Sequence, residues 1–222
     1  LVSVADAPAA QKIITYPDDA QIAQLRSMQK EKKNPIAILG GFGWDVASCE
    51  AIKKFIETWQ IPTGCAFRFQ DLIDNTHPNY AGDVGIGINP ALSKRIKESD
   101  LVLAIGPRLG EMTTSGYTLF DAPRPKQKLV HVHAGAEELG RVYQADLMIN
   151  ATPSAFAHAA ALLTPPGDAK QSASKAQVAE AHAEFLEWST PKRRTPDGVT
   201  DLAEIVGVLN KKLPRDAILT NG

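Results

Sequence analysis

The sequence predicts a doubly wound α/β domain: a parallel sheet with helices on both faces. Three observations carry this. Ile36–Leu39 and Leu101–Ile105 are unbroken apolar runs, the mark of strands buried on both faces. Such runs alternate along the chain with helical apolar spacing. The first run ends in Gly40-Gly41-Phe42-Gly43, a glycine turn between strand and helix.

The elements follow in order. Residues 1–15 are rich in Ala and Pro, show no period and read as an interdomain linker. Asp18 and Asp19 place acidic groups at the start of AQIAQLRSMQKEK, where Ile22, Leu25 and Met28 fall three apart, as on one helix face. Pro35 ends that helix, and the strand Ile36–Leu39 follows. Val46, Ile52, Phe55, Ile56 and Trp59 give the next helix its apolar face, and 62–67 is a strand candidate. The stretch 68–88 reads as loop, with His77-Pro78 and glycines 82, 85 and 87. Pro90–Lys97 is a short helix with Asn89 as its cap. Strands are expected at Leu101–Ile105, Lys128–His133 and Leu147–Asn150, a short helix from Glu137 to Arg141, and a longer one from Pro153 to Leu163.

Thr164-Pro165-Pro166-Gly167 closes a domain of residues 16–166. The small polar residues 168–175 read as a flexible linker. Helices are then expected at Ala176–Trp188 and Thr200–Leu213, and a new strand at Pro214–Thr220. The chain begins at Leu1 and stops just past that apolar run, which reads as a piece of a longer protein.

Composition excludes several function classes. With 24 Lys+Arg against 25 Asp+Glu in 222 residues, the net charge of −1 gives no electrostatic footprint for nucleic acid or an anionic membrane. No apolar run approaches the roughly 18 residues of a membrane span. Cys49 and Cys65 form no CxxC pair, so a structural zinc site is not expected. Two isolated cysteines fit a reducing, cytoplasmic setting.

In doubly wound sheets, ligands sit beyond the C-terminal strand ends, where the strand order switches. Three loops belong there. Gly40, Gly41 and Gly43 would let backbone N–H groups approach a phosphate, or merely make a tight turn; no third glycine completes GxGxxG. Arg108, just past a buried strand, could clamp a phosphate or carboxylate, or pair with Glu111. The third loop is His131-Val132-His133-Ala134-Gly135. His133 and Gly135 stand where acidic residues commonly hold a ribose, and His131 reads as a satisfied, partly buried histidine. The loop Arg68-Phe69-Gln70-Asp71 could line a pocket or be a solvated turn. No nucleophile constellation and no metal-ligand set is evident.

Four stretches then share an order: NPIAILGGFGWD, HPNYAGDVGIG, SDLVLAIGPRLGEMTTSGYTLF and KLVHVHAGAEELGRVYQADLMINA. Together they resemble the central domain of thiamine-diphosphate-dependent enzymes, and within it the acetolactate-synthase-like group. The resemblance covers about residues 16–163, and TDLAEIVGVLNKKLPRDAILTNG looks like the entry to the following, diphosphate-binding domain, so 167–222 would be linker, helices and its first strand. It implies a Rossmann-like fold of the NAD/FAD-binding type in a three-domain parent acting on a 2-oxo acid by decarboxylation and carboligation, a lyase or transferase. The catalytic glutamate would lie in the preceding domain. Thiamine diphosphate and Mg2+ would be held by a G-D-G…N motif in the following one, and no GDG triplet occurs in these 222 residues.

The resemblance therefore implies no catalytic residue in this chain. Its partners would be the flanking domains and further copies of the parent, as dimer or tetramer. Members of the family bind FAD, an adenine nucleotide such as ADP, or nothing in this domain. By position, Gly40, Gly41, Gly43, Gly85, Gly87, Gly106, Arg108 and His133 match the nucleotide-lining segments. The departures are His133 and Gly135 in place of acidic residues, and Leu109-Gly110-Glu111 in place of the F-D-D run of acetolactate synthases. Two other readings compete. One is a stand-alone nucleotide-binding enzyme of sirtuin type, which wants a CxxC…CxxC zinc module. The other is a pure scaffold, with Trp44, Trp59 or Trp188 at an interface.

Overall fold

The computed structural model describes residues 6–9, 11–165, 168–214 and 216–219. Residues 1–5 and 10 of the expected linker, 166–167 of the expected domain end, and 215 and 220 of the expected last strand lie outside them. Six strands form one all-parallel sheet: β1 (Pro35–Leu39), β2 (Thr63–Ala66), β3 (Tyr80–Val84), β4 (Leu101–Ile105), β5 (Lys128–His133) and β6 (Leu147–Asn150). Their spatial order is β3-β2-β1-β4-β5-β6, so the doubly wound α/β fold is present. The chain leaves β1 toward one edge and returns at β4 on its other side. The switch point therefore lies between the C-terminal ends of β1 and β4.

Alternation of side chains along the strands splits the core into two layers. Ala37, Leu39, Leu103, Ile105, Val130 and Val132 face α1 (Asp19–Glu31), α2 (Val46–Trp59) and α4 (Pro153–Ala160). Ile36, Ile38, Val102, Ala104 and Leu129 face α3 (Pro90–Glu98), Ala181 of α5 (Asp168–Ser189) and the segment after β4.

The caps follow from local sequence. Asp18 and Gln21 form a reciprocal capping box on α1, and Asp45 and Ser48 do so on α2. Asn89 accepts from the Ala91 N–H at the head of α3, with Pro90 in the first turn. Residues 6–9 and 11–18 carry no regular structure, and the Thr15 carbonyl accepts from the Thr152 N–H ahead of α4.

Four expectations are corrected. The stretch 68–88 is not all loop: Tyr80–Val84 is the edge strand β3. Gly82 and Asp83 hide it, because its pairing with β2 shifts register at Thr63/Gly64 and Gly82 takes a φ of +124°. Residues 168–175 are helical, not a linker, since no Gly or Pro breaks the run from Asp168 to Ser189 and Ala, Lys and Gln favour helix. The helix expected at Glu137–Arg141 is one 3-10 turn, Ala136–Glu138, too short a polar run to bury a face. Of the expected last strand, the described residues 214 and 216–219 form no strand.

The first compact unit runs to Phe185, so α5 packs on the sheet unit along that length. His182 Nδ1 lies 2.8 Å from the Tyr80 carbonyl, Arg95 bonds Glu184, and the Tyr80 and Phe185 rings meet edge-to-face at 4.8 Å. The second unit, 186–222, contains α6 (Leu202–Lys212). Asp201 caps α6, and Leu202, Val206 and Val208 are exposed on it.

Candidate functional site

The β1 and β4 ends meet with almost no space between backbones. The Gly40 N–H donates to the Ile105 carbonyl at 3.1 Å, and the Gly106 N–H to that of Val132 at 2.8 Å. A Cβ on Gly41 would lie 2.0 Å from the Gly106 oxygen, and one on Gly106 would lie 2.2 Å from the Gly40 oxygen. Both glycines take positive φ, +72° and +88°. Contact between the two loops thus demands Gly40, Gly41 and Gly106 whether or not a ligand is present. Trp44 adds a lock, its indole Nε1 donating to the Gly40 carbonyl at 2.8 Å. Gly43 faces more open space: a Cβ there would meet only Pro153, at 3.9 Å.

The head of α2 is already occupied. Asp45 takes the Ser48 N–H at 2.8 Å. That N–H, and then the Ser48 hydroxyl, hold the Asp45 carboxyl below the usual carboxylate range. An ionised carboxylate therefore sits where the helix dipole would otherwise attract a phosphate.

Arg108 does not pair with Glu111. Its Nη2 lies 2.9 Å from Glu138 Oε1, which also accepts from Arg141 Nη1 at 2.8 Å. The β4 and β5 ends lie side by side, so the loop after β5 reaches Arg108 more closely than its own helical-spacing neighbour does. Glu138 is largely buried, whereas the Arg108 side chain is 65% exposed. Burial raises the Glu138 carboxyl, but the two guanidiniums more than reverse this and hold it below the usual range.

A cleft of about 370 Å³ opens beside this pair, lined by Arg108, Glu111, His131, Glu138, Arg141 and Tyr143 among others. His131 is the buried, satisfied histidine expected. Its Nε2 faces the Pro107 carbonyl at 3.0 Å and so carries the proton, and burial lowers its pKa. The Tyr143 hydroxyl is buried with no hydrogen bond completed. The nearby Thr114 hydroxyl donates to the Gly110 carbonyl and accepts from the Tyr117 N–H, which leaves it one acceptor position. A second cleft of similar size is lined by Gly85, Ile86, Gly87, Glu111 and Met112, so Glu111 and Met112 border both. Gly87, with φ +75° and open space around it, serves a turn, while a Cβ on Gly85 would press on Phe67.

His133 lines neither cleft. Its Nδ1 accepts from the Gly135 N–H at 3.0 Å, and Asn150 bonds the His133 and Ala134 carbonyls, pinning the turn. In the 68–71 loop, Gln70 bonds Asp83 at 2.7 Å and Phe69 meets Phe42 edge-to-face, so part of it is packed. Trp59 is buried and donates to the Leu163 carbonyl, while Trp188 is exposed.

The fit to a dinucleotide can be tested residue by residue. A pyrophosphate at α2 would meet Asp45, a phosphate on Arg108 would have to displace Glu138, and the ribose-holding position carries a histidine bound to its own turn. As arranged, these residues do not fit an anionic dinucleotide. Sequence reasoning missed Asp45 and Glu138. Asp45 was legible as a cap with Ser48 three residues on. Nothing local signals that Glu138 meets Arg108.

Comparison with known proteins adds two findings. The family described as "Thiamine pyrophosphate enzyme, central domain" matches residues 22–160. Two similar relatives are 3D-(3,5/4)-trihydroxycyclohexane-1,2-dione hydrolases, one from Bacillus cereus (strain AH820) and one from Bacillus anthracis. Each is 36% identical over 104 residues, which is 47% of this chain but 16% of the relative.

Proposed function

Because the chain belongs to the thiamine pyrophosphate enzyme central-domain family, we propose that it serves as the non-catalytic middle domain of a larger thiamine-diphosphate-dependent enzyme. The first described unit would be that domain, and the stretch after it the approach to the next. When bound by the flanking domains, thiamine diphosphate supplies a nucleophilic carbon for carbonyl substrates. This chain's own residues build a rigid support. The observation that carries this reading is the C-terminal rim of the sheet. The switch point is closed by glycine backbone, and exposed apolar side chains surround it: Phe42 at 87%, Val46 at 83%, with Ile86, Met112 and Tyr117 partly exposed. Such a rim suits burial against neighbouring domains or copies of the parent.

The parent's substrate follows from shared chemistry. A 2-oxo acid, as in acetolactate-synthase-like decarboxylation and carboligation, has two adjacent carbonyl carbons. So does the cyclic 1,2-dione in the relatives' name, which supports a second reading, hydrolysis of such a dione. The test is to purify the protein from its complete reading frame with thiamine diphosphate and Mg2+. Consumption of pyruvate and of a cyclic 1,2-dione is then followed, beside the 222-residue chain alone. The expected result is cofactor-dependent turnover of one class by the complete protein and none by the chain. Turnover by the chain alone, or none of either class by the complete protein, would overturn the proposal. Among the described residues no helix is long and apolar enough to cross a membrane.

A further inference from the structure

We infer that Asp45, at the head of α2, and Glu138, on Arg108 in the cleft beside β4, are built-in counter-anions that turn nucleotide phosphates away from the C-terminal edge of the sheet. The inference rests on the domain's supporting role and sharpens it by naming what this edge refuses. Two features of a doubly wound sheet invite phosphate at this edge: the head of the helix after the first strand, and a cation just past the strand end. In this chain each already holds a carboxylate. Asp45 accepts the Ser48 N–H at 2.8 Å, and its own N–H donates to the Ser48 hydroxyl at 2.9 Å, so the carboxylate is locked onto the helix head.

Glu138 binds two guanidiniums at once, Arg108 at 2.9 Å and Arg141 at 2.8 Å. It is only 12% exposed, so a competing phosphate would have to expel a largely buried charge. The charges lining the cleft also balance: Arg108 and Arg141 face Glu111 and Glu138. A site that gathers phosphates shows an excess of positive charge and free donors. Here each guanidinium already has a carboxylate partner, and the excess is absent. The glycines lend no counter-argument, because Gly40, Gly41 and Gly106 are required by the contact of the two loops.

The experiment is calorimetric titration of the 222-residue chain with ADP and, separately, with inorganic pyrophosphate at low salt. It is repeated on Glu138→Gln and on Asp45→Asn/Glu138→Gln, with circular dichroism to confirm folding. The wild type should show no saturable binding up to about 1 mM, and each folded variant should bind at least about tenfold more tightly. Raising the salt should weaken the gained binding. Wild-type binding of ADP below about 100 µM would overturn the inference. So would a folded Glu138→Gln protein that binds no better than wild type. Should the double variant fail to fold, the single variant and the wild type decide. ADP binding by the wild type would leave the middle-domain role standing, whereas turnover by the isolated chain would overturn that role and not this inference.

Discussion

Replacing Gly41 with alanine would put a methyl carbon 2.0 Å from the Gly106 carbonyl oxygen. That oxygen belongs to the Gly106–Pro107 peptide, whose proline lies against Gly40, so moving it means moving packed backbone. The substitution carries two costs. Holding alanine at a φ of +72° costs about 1 kcal/mol. Forcing two packed segments apart costs up to about 3 kcal/mol. The expected loss is about 4 kcal/mol, or a fall in Tm of roughly 8–16 °C for a unit of this size. Gly87 supplies the control. Its φ of +75° matches, but nothing lies within 4 Å of its added methyl, so Gly87→Ala should cost only the first part, about 1 kcal/mol. Scanning calorimetry of both variants, without ligand, separates close packing from conformation. Equal shifts for the two variants would refute the claim that the loops require glycine because they touch.

Three further outcomes are expected. Tyr143→Phe removes a buried hydroxyl that completes no hydrogen bond, so denaturant unfolding should show stability unchanged or raised by about 1 kcal/mol; a loss of that size would reveal a partner. His131 has its pKa lowered by burial, so its contribution is fully present above the ordinary value of 6.5 and is lost as pH falls below it. Tm should therefore drop between pH 7 and 5, and His131→Gln should flatten that slope; an unchanged slope would place the titration elsewhere. Asp201 is held down to about 2, first by the Arg194 N–H and also by those of Ala203 and Thr195. Its depressed value means the stabilisation of the α6 cap is present above pH 4 and lost as pH falls toward 2. Carbon NMR of the carboxyl should follow that range, and a midpoint near 4 would contradict the cap.

The parts of the fold legible in the sequence are those that a single element dictates. Leu101–Ile105 announces itself because both faces of a central parallel strand are apolar. The Asn89-Pro90 start of α3 is equally local. The edge strand β3 escapes although nearly all of it is buried, because its sequence is no apolar run and its ladder is irregular: Tyr80-Ala81-Gly82-Asp83-Val84 contains a glycine at φ +124° and a carboxylate. At the site, the glycine loops and Arg108 were legible as residues of the switch-point edge, and His131 as a satisfied histidine. The partner of Arg108 was not. Glu111 is near in sequence, but adjacency of the β4 and β5 ends brings Glu138, which no spacing rule reports.

The strand order also bears on how the domain is made. β1 lies inside the sheet, flanked by β2 and β4. Its β2 side can close as soon as the next strand is synthesised. Its β4 side stays unpaired until α2, β2, β3 and α3 have all emerged, which takes seconds at ribosomal speed. During that interval the nascent chain presents an open, fully apolar parallel edge, Ile36-Ala37-Ile38-Leu39, the kind of edge that recruits foreign strands. A fragment ending at α3 would keep that edge permanently. Dividing this domain for split-protein complementation or stepwise expression therefore calls for a cut after β4, where β1 already has both neighbours.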